Sequence, residues 1–343
     1  MPPALEVDRA AAIPTAPEGS ALRDVVRGGP GFVAVGFDGT DGTVVWLSRD
    51  GRTWTEAPQS SELDRAGMAA VTPVNGRLVG VGRDVASVEE ELAAAWISED
   101  GSTWQRTAGA LEDGQMIDVA SGGPGVVAVG SSVGLDAAAV WVSDDGDEWE
   151  RIPHDPAFEH AFMWTITAGG PGLVAAGWRR TPEPSAAVWH SPDGRMWTRA
   201  PDLPDGEGFQ IRAVTVAAGR LVAAGEGVET RGAAVWTSVD GASWVRSPDA
   251  ENFSEAFINA LVTIGSTIVA FGGVNDDAAI WVSSDSERWT PIVDEELADA
   301  YITAALHADG SIVAVGATQE RIPNTQSYRQ AASAWSIEVR SAR

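Results

Sequence analysis

The sequence contains no cysteine and no lysine, and all 23 of its basic residues are arginine. Without cysteine there is no disulfide, no thiolate nucleophile and no cysteine metal ligand. Without lysine there is no phosphate-cradling Walker lysine, no Schiff base and no lysine general base. Tyrosine occurs twice and histidine four times. Positive charge is scarce: 49 acidic residues stand against 23 basic ones, a net charge of −26. Nucleic-acid affinity rests on phosphate neutralisation, so no nucleic-acid partner is expected. Anionic membrane surfaces are disfavoured for the same reason. No apolar run approaches the ~18 residues of a membrane span, so no membrane insertion is expected either. The segment Met1-Pro2-Pro3-Ala4-Leu5-Glu6 lacks the basic and apolar parts of a secretory signal. The expected location is extracytoplasmic or at the cell envelope with a signal or anchor removed, with the cytoplasm as the alternative. No cofactor and no metal are expected, and the chain reads as a monomer.

What the chain has in excess is glycine, with 38 residues, and tryptophan, with 15. Both fall in a repeat. A short apolar string ending in glycine recurs seven times, as Val33-Ala34-Val35-Gly36, Val79-Gly80-Val81-Gly82, Val127-Ala128-Val129-Gly130, Val174-Ala175-Ala176-Gly177, Val222-Ala223-Ala224-Gly225, Val269-Ala270-Phe271-Gly272 and Val313-Ala314-Val315-Gly316. Neighbouring copies lie 44 to 48 residues apart. A second string follows six of them: Trp46-Leu47-Ser48-Arg49-Asp50-Gly51-Arg52-Thr53-Trp54, with equivalents beginning at Trp96, Trp141, Trp189, Trp236 and Trp281. Each reads Trp-x-Ser-x-Asp-Gly-x-x-Trp, except that Ser286 replaces the glycine in the last. An aspartate there can accept backbone N–H groups and close an Asx-type turn. Glycine supplies the positive φ, and the flanking tryptophans bury large apolar area beneath the turn. Asp50, Asp100, Asp145, Asp193, Asp240 and Asp285 are therefore expected to be structural.

This string resembles the Asp-box (bacterial neuraminidase, sialidase-like) repeat of sialidases, sortilin-type receptors and photosystem assembly factors, and the resemblance covers nearly the whole chain. Within the first repeat, four strands are expected near 21–27, 32–37, 43–48 and 53–57. Four short strands per repeat, seven times over, predict an all-β fold: a seven-bladed β-propeller of four-stranded antiparallel blades. Its single domain spans 1–343, with blades near 20–58, 66–107, 115–152, 162–200, 209–247, 256–292 and 301–339. The last repeat stops at its third strand, Trp335-Ser336-Ile337-Glu338-Val339. A segment near 5–13 is expected to supply the fourth, closing the ring and removing an exposed sheet edge.

Subtracting the framework isolates the candidates for function. Six boxes and the seventh blade account for every tryptophan except Trp164 and Trp178, both in the fourth repeat. The resemblance places the aspartate turns on one face and the inter-blade loops on the other. Trp178, followed by Arg179 and Arg180, is expected on that loop-bearing face, with Trp164 near the channel mouth and His154 and His160 in the loop before it. Aromatic platforms edged by arginine suit sugars and peptides. The phenylalanines of the same zone read more simply as pins that hold long loops. Along the innermost strands, Arg23, Gln115, Gln210, Arg212, Asn259 and Tyr301 interrupt positions where a purely structural ring would repeat small or apolar residues.

A sialidase would need an arginine cluster, a tyrosine–glutamate pair and an aspartate acid/base. Arg23, Arg212, Tyr301 and Asp38 or Asp41 match parts of this set by position. The family's Phe/Tyr-Arg-Ile-Pro signature is missing, however, and Leu22-Arg23-Asp24-Val25 stands in its place. The expected function is a non-catalytic binding module presenting a glycan or protein surface opposite the aspartate turns. A sialidase-like hydrolase or polysaccharide lyase is the alternative, and an assembly or scaffold factor the third. The expected ligand-binding set is Trp178, Arg179, Arg180, Trp164, His160, His154, Arg23, Arg212, Gln210 and Tyr301.

Overall fold

Seven antiparallel sheets, each a radial blade, make up the computed structural model, which describes residues 4–8, 16–40, 42–85, 91–109, 114–180, 183–228, 232–248, 251–275, 277–321 and 328–340. The first blade comprises Ala21–Gly28, Gly31–Phe37, Thr43–Ser48 and Trp54–Glu56, from the axis outward. The expected strands differ from these by one residue at four of their eight ends and agree at the other four. The chain is a seven-bladed β-propeller. The innermost strands of the other blades are Ala66–Val74, Gln115–Gly122, Ala161–Gly169, Phe209–Ala217, Ala256–Ile264 and Ala300–Ala308. The third blade gains a fifth strand, Ala108–Gly109, which pairs in parallel with Glu148–Arg151 at its outer edge. The N-terminal strand Ala4–Asp8 pairs antiparallel with Tyr328–Arg340 and closes the ring. Residues 9–13, the rest of the segment expected to close it, lie outside the described residues.

The core is a circuit of seven apolar clusters, one at each seam between blades. The repeated Val-Ala-Val strands and the first tryptophan of each box fill these seams; Trp46, Trp96, Trp141, Trp189, Trp236, Trp281 and Trp335 are all buried. Several also staple the seam. The indole N–H donates to a loop carbonyl that leads into the blade, as from Trp96 to Glu62 (2.9 Å) and from Trp189 to Ala157 (2.8 Å).

The aspartate turns are tied within themselves. In the second blade, Asp100 Oδ1 accepts from the amides of Ser102 and Thr103, both at 2.8 Å, and Trp104 Nε1 donates to the Gly101 carbonyl. Backbone hydrogen bonds of this kind hold Asp50, Asp100, Asp193 and Asp285 below the ordinary aspartate range and Asp240 at about 2. The turns also abut the hairpin of the preceding blade: a Cβ at Gly29 would stand 2.5 Å from the Asp100 carbonyl. The first-to-second-strand hairpins and the aspartate turns therefore share one face. The starts of the inner strands and the inter-blade loops lie on the other.

Candidate functional site

Each innermost strand carries a register shift at the same place. The pairing slips between Leu22 and Asp24, and likewise at the equivalent step in the six other blades. A β-bulge leaves one residue out of the ladder and re-aims its side chain. The seven bulged residues are Arg23, Ala69, Ile117, Trp164, Arg212, Asn259 and Thr303, and all seven line one axial cavity of about 260 Å³. The repeated glycine makes this bulge feasible. A Cβ at Gly36, Gly82, Gly130, Gly177, Gly225, Gly272 or Gly316 would lie between 1.8 and 2.1 Å from the carbonyl oxygen two residues before the bulged one. The most regular feature of the repeat thus aims seven side chains at the axis.

The ring is polar and unsymmetrical. Around Trp164 the fourth and fifth blades build a connected network. Trp164 Nε1 donates to Gln210 Oε1 (3.1 Å), Gln210 Nε2 donates to Glu226 Oε1 (2.9 Å), and Arg212 Nε donates to the same oxygen (3.0 Å). The Arg212 guanidinium carbon lies 3.9 Å from the centre of a Trp164 ring, a cation–π contact. Phe162 also packs against Trp164, with ring centroids 4.2 Å apart. Tyr301, stacked on Phe257 at 5.4 Å, is exposed at the rim. Arg23 lies over the Phe37 ring at 5.0 Å and makes no ion pair among the described residues. Although Arg23 is exposed to the cavity, the dense ring around it lowers its pKa through burial. Tyr301 opposes that shift, and Arg83 and Arg212 reinforce it by like-charge repulsion. Two further guanidinium groups, those of Arg83 and Arg212, therefore lie within electrostatic range of Arg23 in a chain of strong net negative charge.

One residue deeper stand two carboxyls that the sequence reading passed over, Asp24 and Asp118. Asp24 accepts from the amides of Val25 and Val71, each at 2.8 Å, and so bridges the first and second blades. Asp118 accepts from Val119 and Ile166, also at 2.8 Å, and bridges the third and fourth. Burial raises both pKa values, Asp24 to about 7 and Asp118 to about 6, against the opposing pull of these amide hydrogen bonds. Each carboxyl is half-buried and opens onto the cavity. The recurring Asp-Val pair one residue past the bulge, Asp24-Val25 and Asp118-Val119, was the available signal. It carries meaning only once the bulge is known. Asn259 and Thr303 brace further seams, donating to the carbonyls of Ile302 (2.9 Å) and Leu22 (2.7 Å).

The expected set divides in two. Trp164, Gln210, Arg212, Arg23 and Tyr301 gather at the axis. Trp178 is half-buried opposite Phe162 and Ala186 in the sheet, with its indole nitrogen enclosed. Arg179 pairs with Asp202 at 3.3 Å, an acid it shares with Arg199. Arg180 is exposed and its amide donates to the His160 carbonyl at 2.7 Å. His160 holds a left-handed backbone at φ 55°, and exposed His154 stands 3.7 Å from Glu159. Trp178 and Arg179 end the fourth blade's second strand, Gly172–Arg179, and His154 and His160 lie in the loop before its first. Of the phenylalanines, Phe158 and Phe253 are buried pins, as their simpler reading held. The remaining sialidase-like positions do not assemble. No glutamate hydrogen bond reaches Tyr301 among the described residues. Partial burial raises the Asp38 carboxyl, but hydrogen bonds from Thr40 and Gly42 outweigh it and hold it below the ordinary range. Asp41 lies outside the described residues.

No family model matches this chain, and no curated protein matches it. Solved structures do. YCF48 bound to D1 peptide aligns over 100% of both chains with a TM-score of 0.62 at 12% identity. The phage phi92 endosialidase aligns over 98% of this chain and 70% of its own, with a TM-score of 0.56 at 11% identity. The β-propeller domain of the Trilobed protease from Pyrococcus furiosus aligns over 92% of this chain and 93% of its own, with a TM-score of 0.52 at 10% identity. At such identities the likeness is one of fold alone.

Proposed function

We propose that this chain is a non-catalytic binding module of the Asp-box repeat type, whose ligand or partner seats at the channel mouth opposite the aspartate turns. The observation that carries the reading is the axial convergence of Arg23 and Arg212 with Trp164 and Tyr301. Planar rings edged by guanidinium groups suit a peptide or glycan bearing an acidic group. YCF48, a propeller of the same size, is bound to a peptide, which supports a protein partner. The net charge of −26 favours a partner whose remaining surface is basic. Arrayed peptides and glycans, with co-purification from cell extract, test this reading. Arg23→Ala and Trp164→Ala should each weaken the captured ligand at least tenfold, and unchanged binding in both refutes the site.

One observation favours an enzymatic reading in second place: two carboxyls with raised pKa share a cavity, a pattern common at acid–base sites. Their oxygens are committed to backbone amides that join blades, which points to bracing. Turnover of any bound glycan or peptide, lost in Asp24→Asn, would reverse that order.

A further inference from the structure

The axial cavity is electrically layered. At the level of the bulged residues and above it the ring presents arginine, and one residue deeper it presents aspartate. Arg23 and Asp24 are neighbours in sequence and both line the cavity, yet they form no ion pair. The Arg23 guanidinium reaches outward over Phe37, a residue that pairs with Ala21 at the rim. The Asp24 carboxylate turns inward to the amides of Val25 and Val71. Asp118 reaches the same deeper layer from the third blade, and the two acids repel each other. On the same layer the fifth, sixth and seventh blades carry only alanine, at Ala213, Ala260 and Ala304. Among the described residues no basic side chain hydrogen-bonds to either aspartate. Arg212 is paired with Glu226, but Arg23, Asp24 and Asp118 have no opposite partner among the described residues, and charges partly withdrawn from water in this way cost free energy. A ligand that brought an anion to the outer layer and a cation to the inner one would neutralise both at once.

Each aspartate oxygen accepts one amide, and Asp118 also takes the Thr165 hydroxyl; lone pairs remain on both carboxyls, so they can take an ammonium without giving up their bridges. The cavity, about 260 Å³, would hold on the order of nine waters at roughly 30 Å³ each. That space suits a molecule of dipeptide size. We infer that the axial cavity binds a small zwitterion, of which a free dipeptide is the type, with its carboxylate toward Arg23 and Arg212 and its ammonium toward Asp24 and Asp118. This rests on the reading of the channel mouth as a ligand site and adds the inner half of the ligand.

Calorimetric titration of the full chain with alanyl-alanine, N-acetyl-alanyl-alanine and alanyl-alanine amide tests the inference. Alanyl-alanine should bind about tenfold tighter than either capped form, since each cap removes one charge-assisted contact. In Asp118→Asn the affinity for alanyl-alanine should fall about tenfold, to that of the acetylated probe on the unaltered chain. Thermal melting of the variant separates this from a folding failure. Equal affinity for alanyl-alanine and its acetylated form overturns the inference and leaves the mouth reading standing. Equal affinity for alanyl-alanine and its amide overturns both, because the arginines would then recognise no carboxylate. Absence of alanyl-alanine binding at millimolar concentration also overturns the inference, while the arrayed ligands still judge the mouth.

Discussion

Replacing Gly225 by alanine should injure both the fold and the axial site. The added Cβ would stand 1.8 Å from the Gln210 carbonyl oxygen and 2.8 Å from Ile211 Cα. An ordinary contact needs more than 3 Å, so the backbone must yield by over an ångström. No flexible side chain is available to absorb that shift. Overpacking of this kind costs about 3 kcal/mol or more when backbone has to move. With unfolding entropy of ~2.1 cal/mol/K per residue, a chain of this length loses on the order of one degree of melting temperature per 0.7 kcal/mol. The expected fall is therefore about 4 °C or more. The strand that moves also carries Gln210 and Arg212, so capture of any mouth ligand should weaken with it. Gly219→Ala is the control. It lies eight residues beyond Ile211 in the adjoining hairpin, at φ +77°, with nothing within 4 Å of an added Cβ. It should cost only the left-handed backbone strain, about 1 kcal/mol, or about 1–2 °C. Scanning calorimetry on the two variants decides the matter. If Gly225→Ala melts no lower than Gly219→Ala, close approach at the bulge is not why the repeat ends in glycine.

Other perturbations have equally definite signs. Ser286 occupies the glycine position of the sixth box with φ +61°; Ser286→Gly should relieve strain and raise stability by about 0.5–1 kcal/mol, and a lower melting temperature would contradict this. Trp104, buried beneath its turn, should cost about 3–5 kcal/mol when cut to alanine. Asp100→Ala opens no cavity and should cost about 1–2 kcal/mol; chemical denaturation that ranks them in reverse would refute the division of labour within the box. The folded pKa values of Asp24 and Asp118, about 7 and about 6, lie above the unfolded value near 3.8, so their contribution to stability is greatest in acid and declines as pH rises from about 4 to about 7. The melting temperature of Asp24→Asn relative to the unaltered chain should accordingly improve between pH 5 and pH 8, and a pH-independent difference would rule out a buried charge. Asp50, Asp100, Asp193, Asp240 and Asp285, depressed below 3.8, act in the opposite sense, and their support is lost only as pH falls through those lower values. Deleting residues 1–8 removes the strand paired with Tyr328–Arg340 and should promote aggregation through the bared edge; light scattering unchanged from the full chain would argue against that closure.

By itself the sequence determined what is local and repeated. Seven glycine-ended strings spaced along the chain, six Trp-x-Ser-x-Asp boxes and a truncated last repeat specify blade count, strand order and closure, because each signal acts within one hairpin or one turn. Arg23, Arg212, Gln210 and Tyr301 could be picked out because they interrupt a periodic pattern. Tertiary structure decided what depends on pairing register and on ring closure. The bulge is a property of two strands, so the reason for the repeated glycine was invisible until Gly225 met the Gln210 carbonyl across the ladder. Asp24 and Asp118 belong to different blades and share a cavity only because seven inner strands surround one axis. Trp178 and Arg179 looked as free in the sequence as Trp164 did. Packing set Trp178 against its own blade and gave Arg179 to Asp202, while the bulge turned Trp164 to the channel. Periodicity reveals which positions are unusual; which of them meet depends on where the closed ring brings their side chains.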